Sequence, residues 1–268
     1  MGLSPSDIAL TLAIGFVSGV LSGMFGIGGG IITTPALRML VGVPALVAVG
    51  TPLPVIIPSA ITGALSYARQ GLADVRAGVT IGLSGSAFAV AGALSAKRVG
   101  GRAVLVATAA LIIYMAVDMA LQAAKTPRSS GNGGSSTDGS VPPAPTAALG
   151  SLVLVGAMTG VYSGFLGVGG GFVLVPLLTR WFRYPVKRAI ATSLVAVALL
   201  AIPGSITHYL LGNVDLVLAA LLAVGVVPGA FVGARITLGA SDRSVRIGFA
   251  VLLACTGLIL GASEIGWL

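Results

Sequence analysis

The sequence predicts an all-α polytopic membrane protein made of two tandem four-helix repeats. Each repeat has a first helix broken by glycines, giving about eight transmembrane helices. Three observations lead there: a composition unsuited to water, a series of apolar runs of spanning length, and a strict register between the two halves.

The chain has 268 residues, 56% hydrophobic and 8% charged. Soluble domains carry about 25% charged residues, and so few charges cannot cover a water-facing surface. The mean hydropathy of +1.06 makes lipid the natural solvent. Forty glycines suit close helix packing in a bilayer, where small residues let backbones approach. The net charge of +8 comes from short clusters of Lys and Arg between apolar runs. That is how membrane loops look, and no basic stripe interleaved with aromatics suggests nucleic acid. The lone Cys255 sits in an apolar run and is read as packing. Ile8 to Phe25 lacks a basic n-region and a cleavage site, so it reads as a retained membrane segment.

The first half, residues 1–124, holds apolar segments Asp7–Phe25, Gly30–Leu40, Pro44–Gln70, Asp74–Ala96 and Arg102–Ala124. Residues 125–146, rich in Ser, Gly and Pro, read as a flexible polar linker. The second half, residues 147–268, holds Ala147–Leu166, Gly171–Trp181, Pro185–Leu211, Asp215–Leu238 and Asp242–Leu268. Gly19–Gly30 and Gly160–Gly171 align at an offset of 141. The same offset pairs Pro35 with Pro176, Pro44 with Pro185, Thr51 with Thr192, Gly71 with Gly212 and Asp74 with Asp215. Apolar segments matched by chance would not keep Gly, Pro, Thr and Asp in one register, so an internal duplication is expected. Duplicated halves are typical of secondary transporters.

Two topologies fit the charges. If the first segment of each half spans once, Arg38, Lys97, Arg98, Arg102, Arg180, Arg183, Lys187, Arg188, Arg235, Arg243 and Arg246 share one side. If those segments are re-entrant hairpins, the repeats are inverted, and Arg38, Lys97, Arg98 and Arg102 become the minority. Both give eleven cations against four, so charge bias does not choose between them.

As one straight helix, Asp7–Leu40 would run roughly 50 Å, too long for a hydrocarbon core near 30 Å. Gly26, Gly28, Gly29 and Gly30 lie where it should break, and Gly167, Gly169, Gly170 and Gly171 repeat the pattern. A broken helix at membrane depth is tolerated only in protein or beside a cavity. Half-helices starting near Gly30 and Gly171 would present free N–H groups and a positive dipole end. Two such ends facing each other would hold an anion without a buried Arg or Lys. The competing reading is tight helix packing. Ile31 and Ile32 follow the glycines, which excludes a P-loop, and Ile31 breaks a dinucleotide fingerprint.

Gly50-Thr51-Pro52-Leu53-Pro54, followed by Pro58, should kink or unwind the next helix. Thr51, Thr192 and Ser193 offer hydroxyls to an anion, or bond their own backbone; Ser22 and Ser163 are weaker examples of the same kind. Asp118, with Gln122 one turn on, is a proton-coupling candidate or an interfacial residue. His208 is a second such candidate or an interfacial anchor, and its partner Tyr67 is expected as an anchor at the membrane surface. Asp74 and Asp215 are read as helix caps. No constellation supports an enzyme, a metal site or a cofactor.

With Gly23–Gly30 and Pro35, Gly164–Gly171 and Pro176, Ala48–Thr51 and Ala189–Ser193 in place, the chain resembles the sulfite exporter TauE/SafE family of membrane permeases. The likeness spans nearly everything but the linker. It implies eight helices from a four-helix duplication, and transport of sulfite, sulfonates and related anions across the inner membrane. It also implies that the two glycine loops line the substrate path, with Thr51, Thr192 and Ser193 nearby. Pro52 stands where the second half has Ser193, which departs from a symmetric hydroxyl pair.

The expected partners are thus a small anionic substrate and the lipid bilayer; a homo-oligomer is left open. The expected function is secondary transport of a small sulfur-containing oxyanion by alternating access. The alternatives are a passive anion channel and a membrane scaffold whose glycine loops are packed and dry.

Overall fold

A computed structural model of the chain describes residues 5–99, 101–125, 148–166 and 170–265. The expected linker, 125–146, and the glycines Gly167 and Gly169 fall outside the described residues, except Lys125 at the end of a helix. All regular structure among the described residues is helical.

Helix α1 is Pro5–Phe25 and α2 is Gly30–Ala36, extended by a π-helical turn at Leu37–Val41. Next come α3 at Ala45–Gly50, α4 at Pro52–Ala68, α5 at Val75–Val99 and α6 at Gly101–Lys125. The second half has α7 at Leu149–Leu166, α8 at Gly171–Trp181, α9 at Val186–Leu210, α10 at Leu216–Gly239 and α11 at Asp242–Ile265. Among the described residues, four stretches are long and apolar enough to cross a bilayer: Pro5–Phe25, Leu46–Ala68, Val186–Leu210 and Leu216–Gly239. Outward side chains such as Phe16, Leu65 and Val224 are exposed, as a lipid-facing surface requires.

Local chemistry sets the boundaries. Gly71 and Gly212 take left-handed φ values of 67° and 70° just past α4 and α9. The Asp74 carboxylate accepts from Ala77 N at 3.0 Å, and that of Asp215 from Val217 N at 2.9 Å and Leu218 N at 3.0 Å. Both aspartates are therefore helix caps, as their positions predicted. The unwinding expected near Pro52 shrinks to one residue. Thr51 keeps helical angles (φ −62°, ψ −37°) and its N–H still reaches Val47 O at 2.9 Å. Pro52 falls at the first position of the next helix, where its missing N–H costs little.

After the glycines the chain does not continue in line; it folds back. Ser18 Oγ lies 3.0 Å from Gly29 O and 2.6 Å from Thr33 Oγ1, so α2 runs alongside the end of α1. Further back, Leu37 packs in one cluster with Ile14, and Val41 borders that cluster together with Leu10. The first segment is thus a helical hairpin. In the second half, a Cβ added at Gly170 would meet Thr159 and Ser163, which places the start of α8 back against α7.

Glycines mark how the helices run. Cβ atoms added at Gly15, Gly19 and Gly23 of α1 would strike the backbone of Leu222, Val226 and Ala230 in turn, so α1 and α10 lie parallel and very close. Gly156 and Gly160 of α7 meet Ile81 and Gly85 of α5 in the same manner. By contrast Gly63 faces Leu194 while Gly204 faces Leu53, so α4 and α9 are antiparallel. This central pair, with the hairpin residues Phe25, Ile27 and Ile31, carries the main core.

Candidate substrate site at the hairpin tips

The turn after α1 is built from residues that need glycine. Gly26, Gly28 and Gly29 have φ of 71°, 79° and 79°, a region where a side chain is strained. Gly26 N bonds back to Ser22 O at 2.8 Å, and the carbonyl of Gly29 accepts from Ile32 and Thr33, both at 3.1 Å. The amides of Gly30 and Ile31 fall in the first turn of α2, where a helix provides no acceptor of its own. Gly170 and Gly171 open the 11-residue α8 in the same way.

The two tips meet. A Cβ at Gly171 would collide with the carbonyl of Gly26 and come within 2.8 Å of Ile27 Cα. A Cβ at Gly28 would lie 2.8 Å from Val197 of α9 and 3.0 Å from Ile56 of α4. The turn is therefore wedged between the two central antiparallel helices. Ile27 is fully buried, and Gly26, Gly28, Gly29 and Gly171 beside it are buried as well.

Buried hydroxyls surround the tips. Ser193 Oγ donates within reach of Gly26 O at 3.0 Å and Ile190 O at 2.9 Å. Ser59 Oγ donates to Ser22 Oγ at 2.8 Å, Thr33 joins Ser18, and Tyr67 Oη donates to Gly23 O at 2.9 Å. Ser59 and Thr33 carry no repeat signature, pairing by offset with Leu200 and Leu174, whereas Ser18 pairs with Thr159, a hydroxyl match the repeat could have revealed. Tyr67 corrects an expectation. It is not a surface anchor but fully buried, because its ring points back toward α1 rather than out to the headgroups.

Gly26, Gly28, Gly29, Gly30, Gly170, Gly171 and Ser193 thus come together, whereas Gly167 and Gly169 lie outside the described residues. Thr51 and Thr192 turn away from the tips. Thr51 Oγ1 accepts from Asp215 N at 3.1 Å and Thr192 Oγ1 from Asp74 N at 3.2 Å. Asp118 and His208 are elsewhere. Asp118 accepts from Arg180 at 2.9 Å and from Gln122 at 2.7 Å. His208 sits in the last turn of α9, half-buried, with no hydrogen-bond partner for Nδ1 among the described residues.

Residues 11–260 match the family model described as sulfite exporter TauE/SafE. The chain is 28% identical to the probable membrane transporter protein MJ0441 of Methanocaldococcus jannaschii, over 94% of this chain and 95% of that one. It is 27% identical to the probable membrane transporter protein YunE of Bacillus subtilis, over 95% of each. A probable membrane transporter protein of Xylella fastidiosa is 28% identical over 85% of this chain. No solved structure matches the chain. The chain is a multi-pass membrane protein of the sulfite exporter TauE/SafE family, whose relatives are named as transporters.

Proposed function

We propose that this protein is a secondary transporter of a small oxyanion, sulfite or an organosulfonate, working by alternating access. The observation that carries the proposal is the meeting of the two hairpin tips, Gly26 and Ile27 against Gly171, between the antiparallel helices α4 and α9. Each tip starts a helix, and first-turn N–H groups with a positive dipole end favour an anion. Ser22, Ser59 and Ser193 supply hydroxyls beside them. Bringing charge to backbone amides rather than to a buried cation suits a ligand that must leave again.

The two halves act as inverted repeats in this reading. Two hairpins enter from opposite faces, and α4, α5 and α6 cross in the first half as α9, α10 and α11 do in the second. Arg38, Lys97, Arg98 and Arg102 then lie on one face, with the other eleven Lys and Arg cytoplasmic. By their register with Gly26 and Gly28 in the sequence, Gly167 and Gly169 are proposed as substrate contacts of the second half. Thr51 and Thr192 stand behind the site and hold the starts of α10 and α5. Asp118, tied to Arg180, and His208, at the opposite face, remain the titratable groups available for proton coupling.

The test is uptake of labelled sulfite into proteoliposomes with and without a proton gradient, with taurine, sulfoacetate and sulfate as competitors. Saturable, gradient-responsive uptake supports the proposal, and the competitor ranking fixes the substrate class. Absence of flux above empty liposomes for all these anions, from folded protein, would reject it.

A further inference from the structure

Beyond the transport site, the two faces of the molecule are unequal. On the cation-rich face, Asp74 at the start of α5 meets the segment between α8 and α9. Tyr184 Oη donates to Asp74 Oδ2 at 2.9 Å, and Arg188 Nη2 lies 3.7 Å from the same oxygen. The Arg188 guanidinium also lies 5.2 Å from the centre of the Tyr184 ring. Thr192, one turn along α9, accepts the Asp74 amide. The cluster is nearly closed to solvent: the Arg188 and Asp74 side chains are 12% and 15% exposed.

Asp74 belongs to the first half, whereas Tyr184, Arg188 and Thr192 belong to the second. The cluster therefore pins one half to the other. The equivalent place on the opposite face, 141 residues away, reads Asp215, Val43, Val47 and Thr51. There the threonine–amide bond persists at 3.1 Å, but two valines replace the phenol and the guanidinium. The Asp215 carboxylate serves its own helix, through Val217 N and Leu218 N. The ion pairs of Arg188 with Asp74 and of Arg180 with Asp118 lie on the cation-rich face.

We propose that Asp74, Tyr184 and Arg188 form a one-sided latch that holds the cation-rich face shut, so that the resting protein opens on the opposite face. This inference rests on the alternating-access reading above. A symmetric pair of gates would leave the two open states nearly equal in free energy. A polar cross-link present at one gate and absent at the other unbalances them. Opening the latched face must separate Asp74 from Arg188 and expose both, while opening the other face separates apolar contacts and one weak hydrogen bond.

The test uses two equivalent reporters in the full-length protein with Cys255→Ser. Ala189 lies one turn before Thr192, Ala48 one turn before Thr51, and both are fully buried. Each is changed singly to cysteine, and its reaction with a membrane-impermeant maleimide is timed from its own side. Ala48→Cys should react faster than Ala189→Cys. Adding Asp74→Asn, which keeps the helix cap but removes the charge, should speed Ala189→Cys by roughly tenfold, about 1.4 kcal/mol, and slow Ala48→Cys. Arg188→Gln should do the same, and Tyr184→Phe should act in the same direction more weakly. Asp215→Asn, which also keeps its cap, should change neither rate. Unchanged rates at both reporters in monodisperse Asp74→Asn and Tyr184→Phe proteins overturn the latch. Flux is measured in parallel. Absence of sulfite flux in the parent protein rejects the transport reading, while normal flux with unmoved rates rejects only the latch.

Discussion

Thr51 Oγ1 accepts the amide proton of Asp215 across 3.1 Å, joining a helix of the first half to the start of a helix in the second. Thr192 and Asp74 make the reciprocal contact at 3.2 Å. Both threonines are fully buried and the amides they bond partly so, so removing either hydroxyl leaves a half-buried amide unpaired. Thr51→Val and Thr192→Val should each cost about 1–3 kcal/mol of stability, and serine at either position should restore most of it. In the reading proposed above these threonines stand behind the site and hold helix starts, so KM for sulfite should change less than the turnover rate does. Thermal unfolding and uptake kinetics on the same preparations check both statements.

Gly171 tests the contact between the tips. It is the first residue of α8 and is not among the left-handed glycines, so alanine there should help α8 locally. The added methyl would instead meet Gly26 O and Ile27 Cα. Gly171→Ala should cost about 1–3 kcal/mol by overpacking and lose most of the sulfite flux per folded molecule. Gly150→Ala, at a position with open space around it, should change neither. Flux equal to the parent in Gly171→Ala would show that the tips do not gate or bind the substrate.

The α1–α10 crossing depends on backbone contact. A Cβ at Gly19 would fall 2.8 Å from Val226 Cα and closer still to its carbonyl. Gly19→Leu should push the helices apart and lower the unfolding temperature strongly, or prevent assembly. Gly239→Leu, at the end of α10 with open space around it, should be tolerated. Fluorescence-detected size exclusion of the two variants after heating separates them.

Burial, and then the adjacent Asp74 carboxylate, push the Tyr184 phenol up to about 12. An ordinary tyrosine titrates near 10. The folded state thus holds the Tyr184 proton more tightly than the unfolded chain does. Its contribution to stability is complete below pH 10 and disappears as pH rises from about 10 to about 12. Tyr184→Phe should flatten the loss of stability across that window while leaving the neutral range without a pH-dependent change from this group. Unfolding midpoints between pH 9 and 12 read the difference.

Much of the helix plan was legible in the residues. The glycines at 26–30 announced a break, Pro44 and Pro185 announced helix starts, and Asp74 and Asp215 announced caps, because each acts through local backbone chemistry. Direction was not legible. Whether α2 runs on from α1 or folds back depends on Ser18 meeting Gly29 and Thr33, a contact that no hydropathy window contains. Tyr67 was misplaced for a related reason. Its position near the end of a helix suggested the headgroups, but its orientation is set by the Gly23 carbonyl on another helix. Of the hydroxyls, Ser193 was found through the repeated motif. Ser59, whose partner by offset is Leu200, could be found only by seeing it against Ser22. The Asp74–Arg188 cluster escaped because its members lie more than a hundred residues apart.

The most direct measurement of the central claim is counterflow. Proteoliposomes loaded with unlabelled sulfite are diluted into a trace of labelled sulfite, with no other gradient. A carrier that rocks around one site must show label accumulating transiently above its external level, and a Gly171→Ala preparation should lose that overshoot. A monotonic approach to equilibrium would contradict alternating access and indicate a channel, and no uptake above empty vesicles would contradict sulfite transport altogether.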